Sequence, residues 1–434
     1  MVSGAAHITD LPLELLEHVM LISDPIDIAS AAQACRLFRG LVYPASDDEH
    51  FWRALYLAQS FDDPRKAVTY LGNRRTDVKW REELQRIIRA RTVVNDVAVC
   101  RPDERCQVLR TLLDMVTNVP PLPFPESEPT SHNVLWIQTL LQDGAFLDLK
   151  SHSHEEQQLR ARLHTWFGLT DRDALATKRV ESRAYVYSQR NYRSSNNFGP
   201  FLRDGSGIVN WVHMQQLAHV FACALVEKEE EEDPAFEICS MNLAFCQAVI
   251  PPSLDLNRET DWAGVEGLWR ISYCFMDHRE LLIYNDLNLP EDEPLDPTIF
   301  EEEELQETFS AVDIFFRVIN VEQDPDHPTR PKINYVGEMD GNFTIVGYVK
   351  LTPDDQIRWH FVAGNGDHPV WWYDPCTYIL HSLIISCQTA AKQSSWATVR
   401  SQYGVLGAWS TTMHDPMDPI GVYNIVRLTF HIRG

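Results

Sequence analysis

The sequence predicts an α+β chain of several domains, with an N-terminal three-helix bundle, a helical connector and a C-terminal antiparallel β-barrel. Three observations carry that prediction. At 434 residues the chain exceeds a single core of ~100 to 200 residues, and its 44% hydrophobic content is that of a globular protein. Residues 8–56 place apolar side chains at helical spacing, interrupted by Asp24-Pro25 and Pro44. Beyond Pro252 the pattern changes to short aromatic and β-branched runs separated by Gly, Pro, Asn and Asp. The boundaries read from these shifts are 1–60, 61–252 and 253–434, with an acidic insertion at about 290–307.

Thr9 and Asp10 are expected to cap a first helix that has Pro12 in its opening turn and Leu15, Leu16 and Val19 on its apolar side. A second helix is expected from Asp27, with Ile28, Ala31, Ala32, Cys35 and Phe38 in period, and a third from Phe51 through Trp52, Leu55 and Tyr56. The stripe formed by Leu11, Pro12, Leu15, Leu16, Val19, Pro25, Ile28 and Phe38 is wider than a three-helix core consumes. Surplus apolar surface marks an interface. Leu15, Phe38 and Trp52 are expected to be mainly structural.

The connector reads as helical, apart from a proline-rich loop at Pro120–Pro129 and a short strand at Ala184–Tyr187. The string HSHEE at His152–Glu156 reads as a polar helix start, because alternate histidines on a helix point in different directions. The acidic run Glu227–Asp233 reads as an exposed turn or loop.

Strands are expected at Leu268–Met276, Arg279–Asn285, Ile314–Val321, Asn342–Leu351, Gln356–Ala363, Ile379–Cys387, Gly404–Met413 and Val422–Ile432, with a short helix at Glu301–Thr308. Such a series fits a closed barrel or a sandwich. Gly267-Leu268-Trp269 opens the first strand, and Arg427 on the last is positioned to stack over Trp269. Trp269, Tyr273, Arg358, Trp359, Trp409 and His414 are the candidate substrate-binding residues, lining the barrel's mouth or interior. Aromatic walls with one cation suit a peptide end. Trp371 and Trp372 are candidate rim contacts.

The formal charge of -24 opposes phosphate backbones and anionic lipid, so neither nucleic acid nor membrane is an expected partner. No apolar run approaches the ~18 to 20 residues of a membrane span. Nine cysteines without a C-x-x-C pair read as reduced thiols. The Gly-x-Ser-x-Gly, Walker, Gly-x-Gly-x-x-Gly and His-Glu-x-x-His motifs are absent, so no catalytic residue, metal or cofactor is expected. Cys274 and His278, if on one strand, would lie about 13 Å apart, too far for a nucleophile and its base.

The string LPLELLEHVMLISDPIDIASAAQACRLFRGLV, followed by FWRALY, resembles an F-box. It has that family's opening Leu-Pro, Leu-rich helix, Asp-Pro, Cys-Arg-x-Phe-like ending and later Trp. The resemblance implies that the apolar stripe inserts into a Skp-type adaptor and through it joins a cullin, in the cytoplasm, the nucleus or both. GLWRISY, NFTIVGYVKL, QIRWHFV and YGVLGAWSTTMHDPMDPIGVY resemble the lipocalin-like substrate domain of certain fungal, plant and animal F-box proteins. They depart from it in the acidic insertion and at Ala408 and Ile420. This second resemblance implies a non-catalytic subunit of a ubiquitin ligase whose barrel holds a protein substrate, with a C-terminal degron as the guest. A lipocalin-like small-ligand carrier and an F-box protein acting outside the ligase are the alternatives.

Overall fold

The computed structural model describes residues 8–44, 49–69, 71–121, 131–232, 255–302, 305, 307–339, 343–365, 386–391, 404–411 and 414–427, giving only the backbone for 225–232, 339, 343, 365, 386–391 and 426. The chain forms two compact units. One comprises Met1–Thr69, Asn73–Pro120 and Ser131–Leu140, and the other Tyr70–Gly72, Pro121–Thr130 and Leu141–Gly434.

Helices α1 (Leu13–Leu21), α2 (Pro25–Ala34), α3 (Arg36–Val42), α4 (His50–Ala58), α5 (Trp80–Asn95), α6 (Arg105–Thr117) and α7 (His132–Leu141) build the first unit. Thr9 and Asp10 lie in a 3-10 turn, and Pro12 is the N-cap of α1. The proline keeps Leu11 out of the helical region, which delays the helix start. Asp24 caps α2 by accepting from Ile26 N at 2.9 Å, with Pro25 at the first helical position, so α2 begins before the expected Asp27. Cys35 is extended, at φ -141, and divides the expected second helix, leaving Phe38 on α3. Four helices therefore occupy the segment expected to hold three.

Leu16, Met20, Ile28, Ala32, Leu55 and Tyr56 form the core of these helices. Asp62 secures α7, accepting from Ser131 Oγ at 2.6 Å and His132 N at 2.9 Å at that helix's start. Its own N–H donates to Asn133 Oδ1 at 3.0 Å, and Ser131 Oγ accepts from Val134 N at 3.1 Å, so a buried carboxylate reinforces the local serine cap.

In the second unit, α8 (His154–Phe167), α9 (Ala176–Val186) and α10 (Trp211–Glu232) precede the sheet. Ser153 caps α8 by accepting from Glu156 N, as the polar helix start required. Ala184 and Val186, expected in a strand, belong to α9, and the acidic run to Glu232 continues the backbone of α10. Strands β1 (Gly267–Met276), β2 (Glu307–Glu322), β3 (Lys332–Met339), β4 (Phe343–Leu351), β5 (Ile357–Asn365), β6 (Ser386–Ala391), β7 (Val405–Ser410) and β8 (Ile420–Arg427) follow one another around a closed barrel. Each pairs antiparallel with the next, and β8 returns to β1 with Trp269 opposite Arg427.

Alternation along the strands gives the barrel wall two apolar faces. Inward, Trp269, Ile271, Phe316, Tyr335, Trp359, Phe361, Trp409 and Tyr423 make one core. Gly347 makes room there, since a Cβ would lie 2.7 Å from the Tyr335 ring and 2.8 Å from Phe361. Outward, Met276, Leu406, Ala408, Ile420 and Val422 join Val186, Tyr187, Met214, Leu217 and Phe221 in a second core against the helices. Ala408 and Ile420 thus bury against helix side chains.

Arg279–Asn285 is not a strand: α11 (His278–Asn285) starts there because the Asp277 carboxylate accepts from Arg279 N. The helix expected at Glu301–Thr308 is replaced by a 3-10 turn at Pro297–Glu301, and Glu307 already opens β2. Strand β3 had no counterpart among the expected runs.

Glu307 ties this strand start to α9. Its carboxylate accepts from Arg183 Nη2 at 2.7 Å, Arg183 Nε at 3.1 Å and Tyr187 Oη at 2.6 Å. Both members of the ion pair are nearly buried. Burial opposes the Arg183 charge, yet Glu307 holds that guanidinium above its ordinary pKa. Glu307→Ala removes the buried carboxylate and is expected to cost about 3 to 5 kcal/mol. A fall in the urea midpoint of the full chain, absent from an exposed control such as Glu338→Ala, is the readout.

Candidate functional site

Two surfaces come out of these units. In the first, Leu11, Leu15 and Val19 succeed one another at i, i+4 and i+8, and are 41%, 51% and 42% exposed. Pro12 is exposed beside them. Leu16, Pro25 and Ile28 are buried instead, and Phe38 is half-buried. The expected stripe is therefore shared, part on the surface and part in the core. Leu15 is exposed although it was expected to be mainly structural. Ile8, Leu13, Ile22 and Ile26 add exposed apolar area that periodicity did not single out. The signal was present in Ile22, an isoleucine just after the last turn of α1, where a polar residue normally meets water.

Within the barrel, Trp269, Trp359 and Trp409 are at most 1% exposed. Trp269 meets Trp359 edge-on at 5.2 Å, and Tyr335 meets the same Trp359 at 5.4 Å. Arg427 stands 5.9 Å over Trp269 and donates to the carbonyls of Gly264 and Glu266, while Trp269 Nε1 donates to Val265 O at 2.8 Å. Gly267 lies at φ +145 against that guanidinium, so the Gly-x-Trp opening is built around the arginine. Trp409 Nε1 is buried with no hydrogen-bond partner among the described residues. Tyr273 faces the same interior and stacks on Phe275.

Arg358 and His414 do not join this group. Arg358 neighbours Trp359 on β5 and so faces outward, its guanidinium 4.6 Å from the Phe201 ring. His414 lies beyond β7, stacked on Phe198 at 3.7 Å with the rings 2° from parallel, and its Nδ1 is 3.0 Å from Ser410 Oγ. Trp371 and Trp372 lie outside the described residues. Cys274 and His278 do not pair: the thiol lies by Tyr187 Oη, and His278 Nε2 by Met417 O on a helix.

A groove of about 600 Å³ runs beside His414, between the segment Gln189–Phe198, the loop Asp286–Glu291 and residues 414–420. Sequence reasoning placed only His414 there. Arg190 braces one wall by donating to the carbonyls of Leu289, Pro290, Glu291 and Glu293. Asp415 N donates to Asp418 Oδ2 at 2.7 Å, closing the turn that carries His414.

The helices α8 to α10 hold a buried polar cluster. His164 Nε2 donates to Asp173 Oδ2 at 2.9 Å, and Gln215 Nε2 donates to His164 Nδ1 at 2.8 Å. Burial would raise the Asp173 carboxyl, but the His164 hydrogen bond and the nearby His219 hold it well below the carboxylate range. His213 is pushed down to about 3 by burial, and His360 to about 4 by burial and by Arg358. An unfolded chain protonates these histidines below their ordinary 6.5, whereas the folded one resists until about 3 to 4. The unfolded state then binds more protons across that window, so stability falls as pH falls through it. The thermal midpoint is expected to drop from neutral pH toward pH 4, and less steeply in His213→Gln, as followed by circular dichroism.

Residues 8–58 match the F-box-like family model, and the N-terminal helices accordingly form an F-box-like domain, a kind of module that is generally non-catalytic and binds Skp-type adaptors. No curated protein and no solved structure matches the chain. Among the described residues no helix is long and apolar enough to cross a membrane, and no group of three His, Cys, Asp or Glu side chains is arranged to hold a metal ion.

Proposed function

We propose that this chain is a non-catalytic, substrate-recruiting subunit of a Skp-cullin-F-box ubiquitin ligase. The exposed apolar row Leu11, Leu15 and Val19 within the F-box-like match is the observation that carries the reading. An isolated helix row of this kind in water loses apolar free energy at about 25 cal/mol per Å², which docking on an adaptor's helices recovers. The F-box is assigned to 1–60, with 61–252 linking it to a lipocalin-like substrate domain at 253–434. Work in the cytoplasm, the nucleus or both follows from the partners.

The chain's contribution to chemistry is proximity: it holds a target near a ubiquitin-loaded enzyme and supplies no acid, base or nucleophile. The barrel unit is the target's receptor, and a protein degron its guest. Trp409 Nε1, which has no hydrogen-bond partner among the described residues, favours a guest that offers a carbonyl oxygen to the barrel interior. The same buried donor would suit a small carried ligand. Native mass spectrometry separates the two, because a carrier retains a co-purifying small molecule and a peptide receptor does not.

Co-expression with a Skp-type adaptor tests the first half. The full chain is expected to co-purify with it, and Leu15→Asp combined with Val19→Asp to abolish capture while leaving the thermal unfolding curve unchanged. Capture that survives both substitutions overturns the adaptor reading.

A further inference from the structure

The groove beside His414 has three properties that set it apart from the rest of the second unit. First, its backbone is held in an uncommon conformation on both sides. Asn197, Phe198 and His414 are three of the four non-glycine residues at positive φ among those described, at 54°, 53° and 51°. An aromatic side chain there is costly, and such residues persist where the surrounding structure enforces them. Here two of them stack face to face, so the aromatic floor they give the groove is the outer surface of that pair. Second, the wall facing that floor presents Leu287, which is 55% exposed, and Leu289.

Third, the charge in the groove is negative. Its lining contributes Asp286, Glu291, Asp415 and Asp418 against Arg190 and Arg193. The Arg190 guanidinium is committed to four backbone carbonyls, and Arg193 is paired with Glu291 at 2.7 Å. His414 adds no charge near neutrality, since burial holds its pKa below the ordinary value. The loop that forms the wall carries Asp292, Glu293 and Asp296 on its exposed side, extending the same field. A guest must therefore offer an apolar or aromatic group to the floor and a cation to the rim.

We infer that this groove is the docking site for an extended segment of the target protein that carries lysine or arginine beside an apolar residue. The inference rests on the substrate-receptor reading and deepens it, by moving the contact from the barrel interior to the outer groove and by giving the substrate a charge. The apolar residue lies on the Phe198–His414 face against Leu287. The cation meets Asp286 and Asp415, whose carboxylates among the described residues receive local backbone or side-chain N–H groups.

Fluorescence anisotropy on the full chain tests this, using short labelled peptides with a central leucine flanked by lysine, by glutamate or by serine. The lysine peptide is expected to bind, with affinity falling as salt rises. Asp286→Asn with Asp415→Asn should weaken it about tenfold, while keeping a side-chain oxygen for the backbone N–H donors and the unfolding midpoint. Phe198→Asn, which tolerates the positive φ, should weaken all three peptides. No lysine-peptide binding, equal binding of the lysine and glutamate peptides, or insensitivity to the paired asparagine variant overturns the inference. Adaptor capture is read separately in the same preparation. Loss of adaptor capture with peptide binding intact sinks the ligase reading alone, and the converse sinks the groove alone.

Discussion

The second unit depends on one constraint: the wall made by β7, β8 and β1 must satisfy two apolar surfaces at once. Trp409 and Leu406, or Tyr423 and Val422, sit on opposite sides of a sheet one residue thick. A slip of one residue in register would send the aromatic rings of the interior into the helices and the aliphatic side chains into the barrel. Glu307 adds a polar check on that register, because its carboxylate meets Arg183 and Tyr187 of the helical layer only when β2 begins where it does. Packing and ion pairing thus enforce the same alignment, and helices and barrel in this unit fold as mutually dependent layers.

That arrangement explains what could be read in the sequence and what could not. The F-box-like helices were legible because proline and aspartate mark their starts within a few residues, and strands such as β1, β4 and β5 because aromatic and β-branched residues dominate them. The stretch Leu281 to Tyr284 misled because four apolar residues in succession fit a buried strand or a buried helix equally. Only the Asp277 cap distinguishes them, and it precedes the run. Strand β3 was missed for a complementary reason: Gly337 interrupts the alternation of Ile333 and Tyr335, yet is needed where a Cβ would lie 2.6 Å from Ile314 and Phe316.

Site residues were less legible than elements. Arg358 and Trp359 are neighbours on one strand, and their opposite directions follow from strand geometry alone. Composition drew them together nonetheless. The groove near His414 was invisible to any local pattern, since its walls come from residues that are far apart in sequence and are joined by hydrogen bonds to backbone carbonyls. In the first unit the reverse held: the exposed row lies on α1 and on the residue just before its cap, so helical period was enough to find its members, though not to say that Leu16 would turn inward.

Arg190 has a consequence beyond bracing. A single guanidinium grips four carbonyls of the acidic insertion, and carbonyls are the same in every amino acid. The exposed side chains of this stretch, such as Asp292 and Glu293, are therefore free to vary while its path is retained. Phe300 and Leu305, packed into the helix-facing core, and Glu307, bonded to Arg183, are held in place, so the freedom is confined to the exposed residues before them. Descendants of such a chain could change the charge and chemistry of this wall rapidly, acquiring new preferences without first having to re-evolve a stable fold.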